Sequence, residues 1–170
     1  MGRLLVNEFF DDNWCKKRRD EESYLIFLKE ALAGKQPGLG NITLNSEEPS
    51  QDVFDVFRTP TVGFQDYTIV IIDTRAFEKG GTLTIDIETG RADAEGHFYL
   101  VDGDNDLPTT ERVTKHMVLA MKWLEPDETG QLTHRFDRGQ FFKLGATGCY
   151  GRSEKGSTNA FKARISVDGT

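Results

Sequence analysis

"GTLTIDIETG", residues 81–90, decides the fold. Leu83, Ile85 and Ile87 point one way and Thr84, Asp86 and Glu88 the other, which is the period of a β-strand with one wet face. "AFKARISV", residues 160–167, repeats the device, with Phe161, Ala163, Ile165 and Val167 inward and Lys162, Arg164 and Ser166 outward. "YTIVIIDT", residues 67–74, is apolar on both faces, as in a strand covered on each side. "HMVLAMKWLE", residues 116–125, alternates at Met117, Leu119, Met121 and Trp123; its residue types also suit a helix, and Pro126 with the turn behind it favours a strand. Further strands are expected at "NITL", "DVFDVF", "HFYLVD", "QLTHRF" and "QFFKLGA", about nine in all at sandwich spacing. No helical run lies between them to cross over a parallel sheet, so the pairing should be antiparallel. The expected fold is mainly β, an antiparallel jelly-roll-like β-sandwich.

The N-terminal stretch differs in style. Tyr24, Leu25, Phe27, Leu28, Ala31 and Leu32 fall on one face of a helix over residues 20–35, with acids in its first turn and Gly34 as its stop. The chain therefore divides into an N-terminal arm and amphipathic α-helix, 1–36, and a β-sandwich domain, 37–170.

A length of 170 residues suits a single core, and 37% apolar residues with 17 glycines suit a domain rich in turns. The balance of 21 basic against 28 acidic residues, a net charge of -7, argues against nucleic acid as a partner. The basic run "CKKRR" at Cys15 to Arg19 is cancelled by the acids that follow. No window is long and apolar enough for a membrane span, and the first residues lack the features of a signal peptide, so a soluble, cytoplasmic chain is the default expectation. Cys15 and Cys149 are far apart and without a second pair, which indicates neither a zinc site nor a disulfide scaffold.

Two loops carry candidate chemistry. In "FYLVDGDNDLPTTE", residues 98–111, Asp102, Asp104 and Asp106 stand at alternate positions like the first ligands of a calcium loop. Leu107 replaces the glycine of that loop and Val113 its terminal acid, with Glu111 two residues early. Asp102, Asp104, Asp106 and Glu111 are thus candidate calcium ligands at a sandwich edge, against the plain alternative of a solvated turn. In "LGATGCYGRSEKGSTNA", residues 144–160, four glycines allow close backbone approach, and Tyr150, Arg152, Ser157, Thr158 and Asn159 are candidate ligand-binding residues. The segment is not a phosphate-binding loop, because its lysine precedes the last glycine and a strand follows. The plain alternative is a long hairpin connection.

About twenty residues around "GSTNAFKARISV" resemble the ends of sandwich lectins and carbohydrate-binding modules, where a polar loop precedes an alternating closing strand. The paired Asp and Asn that calcium-dependent sugar binders place before that strand are missing, and no family follows from the resemblance.

His97, His116 and His134 lie on separate expected strands, and no histidine can be matched to Cys149 from spacing alone. Asp86 and Glu88 are two apart on one strand face, as an acid pair or simply as its wet side. Among the aromatics, Trp14, Trp123, Phe98, Tyr99 and Tyr150 are best suited to stacking on a sugar or filling a partner's pocket.

Three functions fit these features. The leading one is a non-catalytic recognition module that binds a glycan or protein ligand, with calcium as the candidate cofactor, through loops 102–111 and 145–159. The second is a self-assembling protein in which segment 1–36 packs on a neighbouring copy to form a homo-oligomer. The third is a small β-sandwich or barrel enzyme, which a histidine beside Cys149 would raise above the others.

Overall fold

Nine strands follow one another along the chain of this computed structural model, which describes residues 41–60, 67–108, 117–149 and 154–169. They are β1 (Asn41–Thr43), β2 (Ser50–Arg58), β3 (Thr68–Asp73), β4 (Gly81–Thr89), β5 (Gly96–Asp102), β6 (Val118–Leu124), β7 (Thr129–Phe136), β8 (Phe141–Gly148) and β9 (Thr158–Gly169). Each of the alternating or apolar stretches singled out in the sequence forms one of them. The helix expected over 20–35, with Trp14 and Cys15 before it, lies outside the described residues, as do His116, Glu111, Tyr150 and Arg152.

The strands form two sheets, in the orders β1-β3-β8-β5-β6 and β2-β9-β4-β7. Every pairing is antiparallel except that of β1 with β3. Most connections leave one sheet for the other; β5 and β6 are the consecutive strands that pair directly.

The alternation of β4 and β9 is the mechanical basis of this arrangement. Leu83, Ile85 and Ile87 stand in register with Val167, Ile165 and Ala163, and all six are buried. They meet Val70, Ile72, Phe98, Leu100, Phe142 and Leu144 of the other sheet in one apolar cluster. Phe98 sits edge-on to Phe57 at 5.7 Å and to Phe161 at 5.4 Å between ring centroids, so three phenylalanines from β5, β2 and β9 bind the layers together.

β3 departs from its expected environment. Val70 and Ile72 are buried, but Ile69 on the opposite face is exposed, so this strand is not covered on both sides. Phe141, Met121 and Trp123 are also exposed on strands of the same sheet, and the outer face of the five-stranded layer is therefore unusually apolar.

An acid interrupts the core face of β2. Asp55 lies between the buried Val53 and Phe57 in the strand's two-residue period and opposite Phe161. Its Oδ1 accepts a hydrogen bond from the Val56 N–H at 2.7 Å, but burial dominates and pushes its pKa from 3.8 up to about 6. The folded state thus holds the Asp55 proton more tightly than the unfolded chain does, and the stability present below pH 3.8 is lost as pH rises through about 6. Asp55→Asn should remove this loss. Urea denaturation is expected to show the variant gaining about 2–3 kcal/mol relative to the parent between pH 4 and pH 7. A difference between the two proteins that is independent of pH would refute it.

Candidate functional site

β5 and β8 run antiparallel with Gly96 opposite Gly148 at one end and Asp102 opposite Phe142 at the other. The acidic turn after Asp102 and the glycine-rich segment after Gly148 consequently lie at opposite ends of the sheet. Six residue steps separate them along β5, about 20 Å, so one small ligand cannot engage both.

At the acidic end, Asp102 folds the turn. Its Oδ1 accepts the Asp104 N–H at 3.1 Å, its Oδ2 accepts Gln140 Nε2 at 2.8 Å, and its carbonyl accepts the Asn105 N–H at 2.9 Å. Asp104 and Asp106 are exposed. Asp102, Asp104 and Asp106 do not form a group of three converging donors, a condition met among the described residues by one other trio.

The opposite end holds that trio. Glu95 immediately precedes β5, His97 is its second residue, and Cys149 immediately follows β8. Extending the Gly96–Gly148 register by one residue puts Cys149 across from Glu95, and the Cys149 N–H donates to the Glu95 carbonyl at 3.0 Å. Strand alternation then turns Glu95, His97 and Cys149 to one face. Their donor atoms all lie within 4.8 Å of one another, with His97 Nε2 3.8 Å from Glu95 Oε1. The three residues are 8–9% exposed.

Aromatic rings surround the trio. Trp123, paired with His97 across β5 and β6, stacks on the imidazole at 4.4 Å with planes 5° apart. Tyr99 meets His97 edge-on at 6.4 Å and Tyr67 at 6.2 Å. Burial raises the pKa of the Tyr99 hydroxyl, partly offset by the Trp123 indole N–H directed at it, while Cys149 adds to the rise. Tyr67, likewise raised by burial, donates its hydroxyl to the Pro108 carbonyl at 2.6 Å. Trp123 nevertheless remains 52% exposed. Since His97 covers one face of the indole, that exposure belongs to the other face and the ring edge, which border a shallow depression of 330 Å³ shared with Met121 and Lys122.

The glycine-rich segment supports this end from beneath. Asn159 is fully buried. Its Nδ2 donates to the carbonyls of Gly90 at 2.8 Å and Ala94 at 3.2 Å, while Oδ1 accepts the N–H groups of Ala92 at 3.2 Å and Ala160 at 2.9 Å. All four hydrogen-bonding positions of the amide are filled, and the connection that delivers Glu95 to β5 is wound around it. Ser157 Oγ donates to the Glu154 carbonyl at 2.6 Å and lies 3.0 Å from Thr59 Oγ1. Thr158 opens β9 opposite Arg58. Ser157 and Asn159, read from the sequence as ligand contacts, thus serve the architecture of the site end in this structure.

The remaining candidates are dispersed. His134 lies on β7, its pKa lowered by burial and raised in part by Asp102. Asp86 and Glu88 border a polar groove on the outer face of the four-stranded sheet with Gln131, Lys162 and Arg164. There Asp86 accepts Gln131 Nε2 at 2.7 Å, and Arg164 pairs with Asp52 at 2.9 Å. Phe98 is core, whereas Trp123 is the described aromatic that reaches solvent among those selected. Glu95 was missed by sequence reading; the one local signal was its position two residues from His97 ahead of a strand, and Cys149 joins them only through register.

No family model matches the chain, and no curated protein matches it in sequence. Among solved structures, CorA, a surface-associated copper-binding protein of Methylomicrobium album BG8, is similar over 77% of this chain and 99% of its own, with a TM-score of 0.45 and 9% identity. The xylan-binding domain from CBM 22 covers 74% of this chain and 90% of its own with a TM-score of 0.35 and 10% identity. The C-terminal CBM6 of LamC from Zobellia galactanivorans covers 72% and 96% with a TM-score of 0.34 and 17% identity. Likenesses this distant assign neither a ligand nor a family. Among the described residues no helix is long and apolar enough to cross a membrane.

The Asn159 bracket has a measurable value. Asn159→Ala leaves the Gly90 and Ala94 carbonyls and the Ala92 N–H without its amide, and should destabilise the protein by about 2–4 kcal/mol in urea denaturation. A loss below about 0.5 kcal/mol would mean the bracket does not carry the site end.

Proposed function

We propose that the protein is a non-catalytic recognition module of jelly-roll type that seats a saccharide ring on Trp123. The winding supports the architectural part of this reading: strands β2-β9-β4-β7 face β3-β8-β5-β6, the double Greek-key order, with β1 added at one edge. The observation that carries the ligand reading is the half-exposed indole whose plane is fixed by the imidazole stacked against it. A tryptophan fixed in this way offers the C–H face of a pyranose an apolar platform whose orientation is already set before the ligand arrives. The backbone of β6, an edge strand, supplies polar groups at its margin for hydroxyl recognition. The residues through which a calcium ion would assist are Asp102 and its neighbours, at the far end of the sheet, so the saccharide site itself requires no calcium.

A second reading, a thiol-dependent enzyme, is favoured by the proximity of His97 to Cys149, with Glu95 on the imidazole in the position of an orienting acid. The burial of all three side chains weighs against it, because a nucleophile must be reached by its substrate.

The test is a glycan array followed by tryptophan-emission titrations in a Trp14→Phe protein, so that the signal comes from Trp123. A bound oligosaccharide should change that emission with or without calcium, and Trp123→Ala should weaken binding at least 100-fold while keeping the far-ultraviolet circular dichroism of the parent fold. Binding that survives Trp123→Ala, or an array on which nothing binds, would remove the saccharide reading.

A further inference from the structure

We propose that Glu95, His97 and Cys149 form a binding site for a divalent transition-metal ion of borderline softness, zinc first among them. Nothing in the spacing of the sequence signals such a site, since two cysteines so far apart do not make a zinc motif, and the inference does not depend on the saccharide reading.

The argument begins with donor chemistry. A thiol, an imidazole and a carboxylate are the three side-chain types that bind zinc, and here each supplies one donor atom. Magnesium and calcium prefer sets made wholly of oxygen, so sulfur and nitrogen in the same trio select against them.

Geometry comes next. Bond lengths of about 2.0–2.3 Å around a tetrahedral zinc ion put neighbouring donors about 3.3–3.8 Å apart. His97 Nε2 and Glu95 Oε1 are already 3.8 Å apart, and no pair within the trio exceeds 4.8 Å. Closure by about 1 Å, within the reach of side-chain rotation alone, completes three corners of a tetrahedron and leaves the fourth for water or an outside donor.

The setting favours an ion as well. The three residues are 8–9% exposed, so an ion held among them is largely out of water, where its attraction to its donors is least screened. The scaffold is stiff: Glu95 and Cys149 are tied through the backbone at the ends of two paired strands, and the Asn159 amide fixes the segment that leads into Glu95. Trp123 stacks on the His97 ring and holds its plane, which limits the reorientation of the imidazole. Catalysis by the same trio would need a substrate to reach the sulfur, whereas an ion needs only that the three donors close around it.

The test uses full-length protein carrying Cys15→Ser, so that Cys149 is its sole thiol, freed of metal by chelation. Cobalt(II), the spectroscopic substitute for zinc, should produce thiolate-to-metal absorption in the near ultraviolet that saturates at one ion per chain and disappears when zinc is added. Zinc should also raise the melting temperature and slow alkylation of Cys149 by iodoacetamide at least tenfold, while magnesium and calcium do neither. Cys149→Ser and His97→Gln should each abolish the cobalt absorption and weaken zinc binding at least 100-fold. The site is overturned if the parent develops no thiolate–cobalt absorption, or if Cys149→Ser binds zinc as well as the parent does. The cobalt titration of the parent needs no substitution among the three residues, so it decides the matter even if a variant fails to fold.

Discussion

Gly96 and Gly148 face each other across β5 and β8, and the site end is built on the space their missing side chains leave. A Cβ at Gly148 would come within 2.6 Å of the Thr59 backbone nitrogen, and one at Gly96 within 2.7 Å of the Phe98 ring and 2.9 Å of the Phe57 ring. Phe57 lies near the end of β2 in the opposite sheet and Thr59 immediately follows that strand, so the two layers close to backbone contact here. Thr59 in turn holds the turn before β9, donating its N–H to the Ser157 carbonyl at 2.8 Å and accepting the Gly156 N–H at 2.9 Å. Any larger residue at either glycine would push these segments apart. Glu95 and Cys149, one residue beyond each glycine, would lose their opposition.

The two faces of β5 show how one strand serves fold and site together. Phe98 and Leu100 point into the apolar core, while His97 and Tyr99 point outward beneath Trp123 and Tyr67. Both sets are buried, which is why the strand reads as a continuous run without the alternation of β4 and β9. The outward set is polar at its tips and aromatic in its bodies. It therefore makes a second, smaller packed layer in which ionisable groups are held close and largely out of water, next to an edge strand that leaves one indole face open.

The edges of the four-stranded sheet follow a different logic. β2 is an edge strand, and its inward-facing Asp55 is an uncomfortable residue for a core yet a useful one against edge-to-edge association, because another sheet laid against β2 would bury the charge more deeply. Along its outer face, Asp52 pairs with Arg164 on the neighbouring β9, and Lys162 lies over the Phe54 ring at 5.6 Å. Cross-strand charge pairs of this exposed kind contribute little stability, but they keep the face wet. The five-stranded sheet, with Ile69, Met121, Phe141 and Trp123 exposed, is the apolar counterpart.

Local pattern by itself determined the strands, their inward faces and the antiparallel preference. Leu83, Ile85 and Ile87, with Phe161, Ala163, Ile165 and Val167, could be assigned to the core because alternation is a property of neighbours along one chain, and burial follows it directly. The same reasoning mistook the setting of Ile69, since a run apolar on both faces says nothing about what lies above it. Polar loop residues misled for a related reason: Asn159 suggests a surface to anyone reading residue types, but its amide is spent inside the protein on four backbone partners. Tertiary structure alone decided that Glu95, His97 and Cys149 meet, and that the acidic turn lies far from them. Those facts depend on the register of β5 against β8, which is set by where two backbones can approach closely enough to pair, and residues 40 or more positions apart carry no local sign of it.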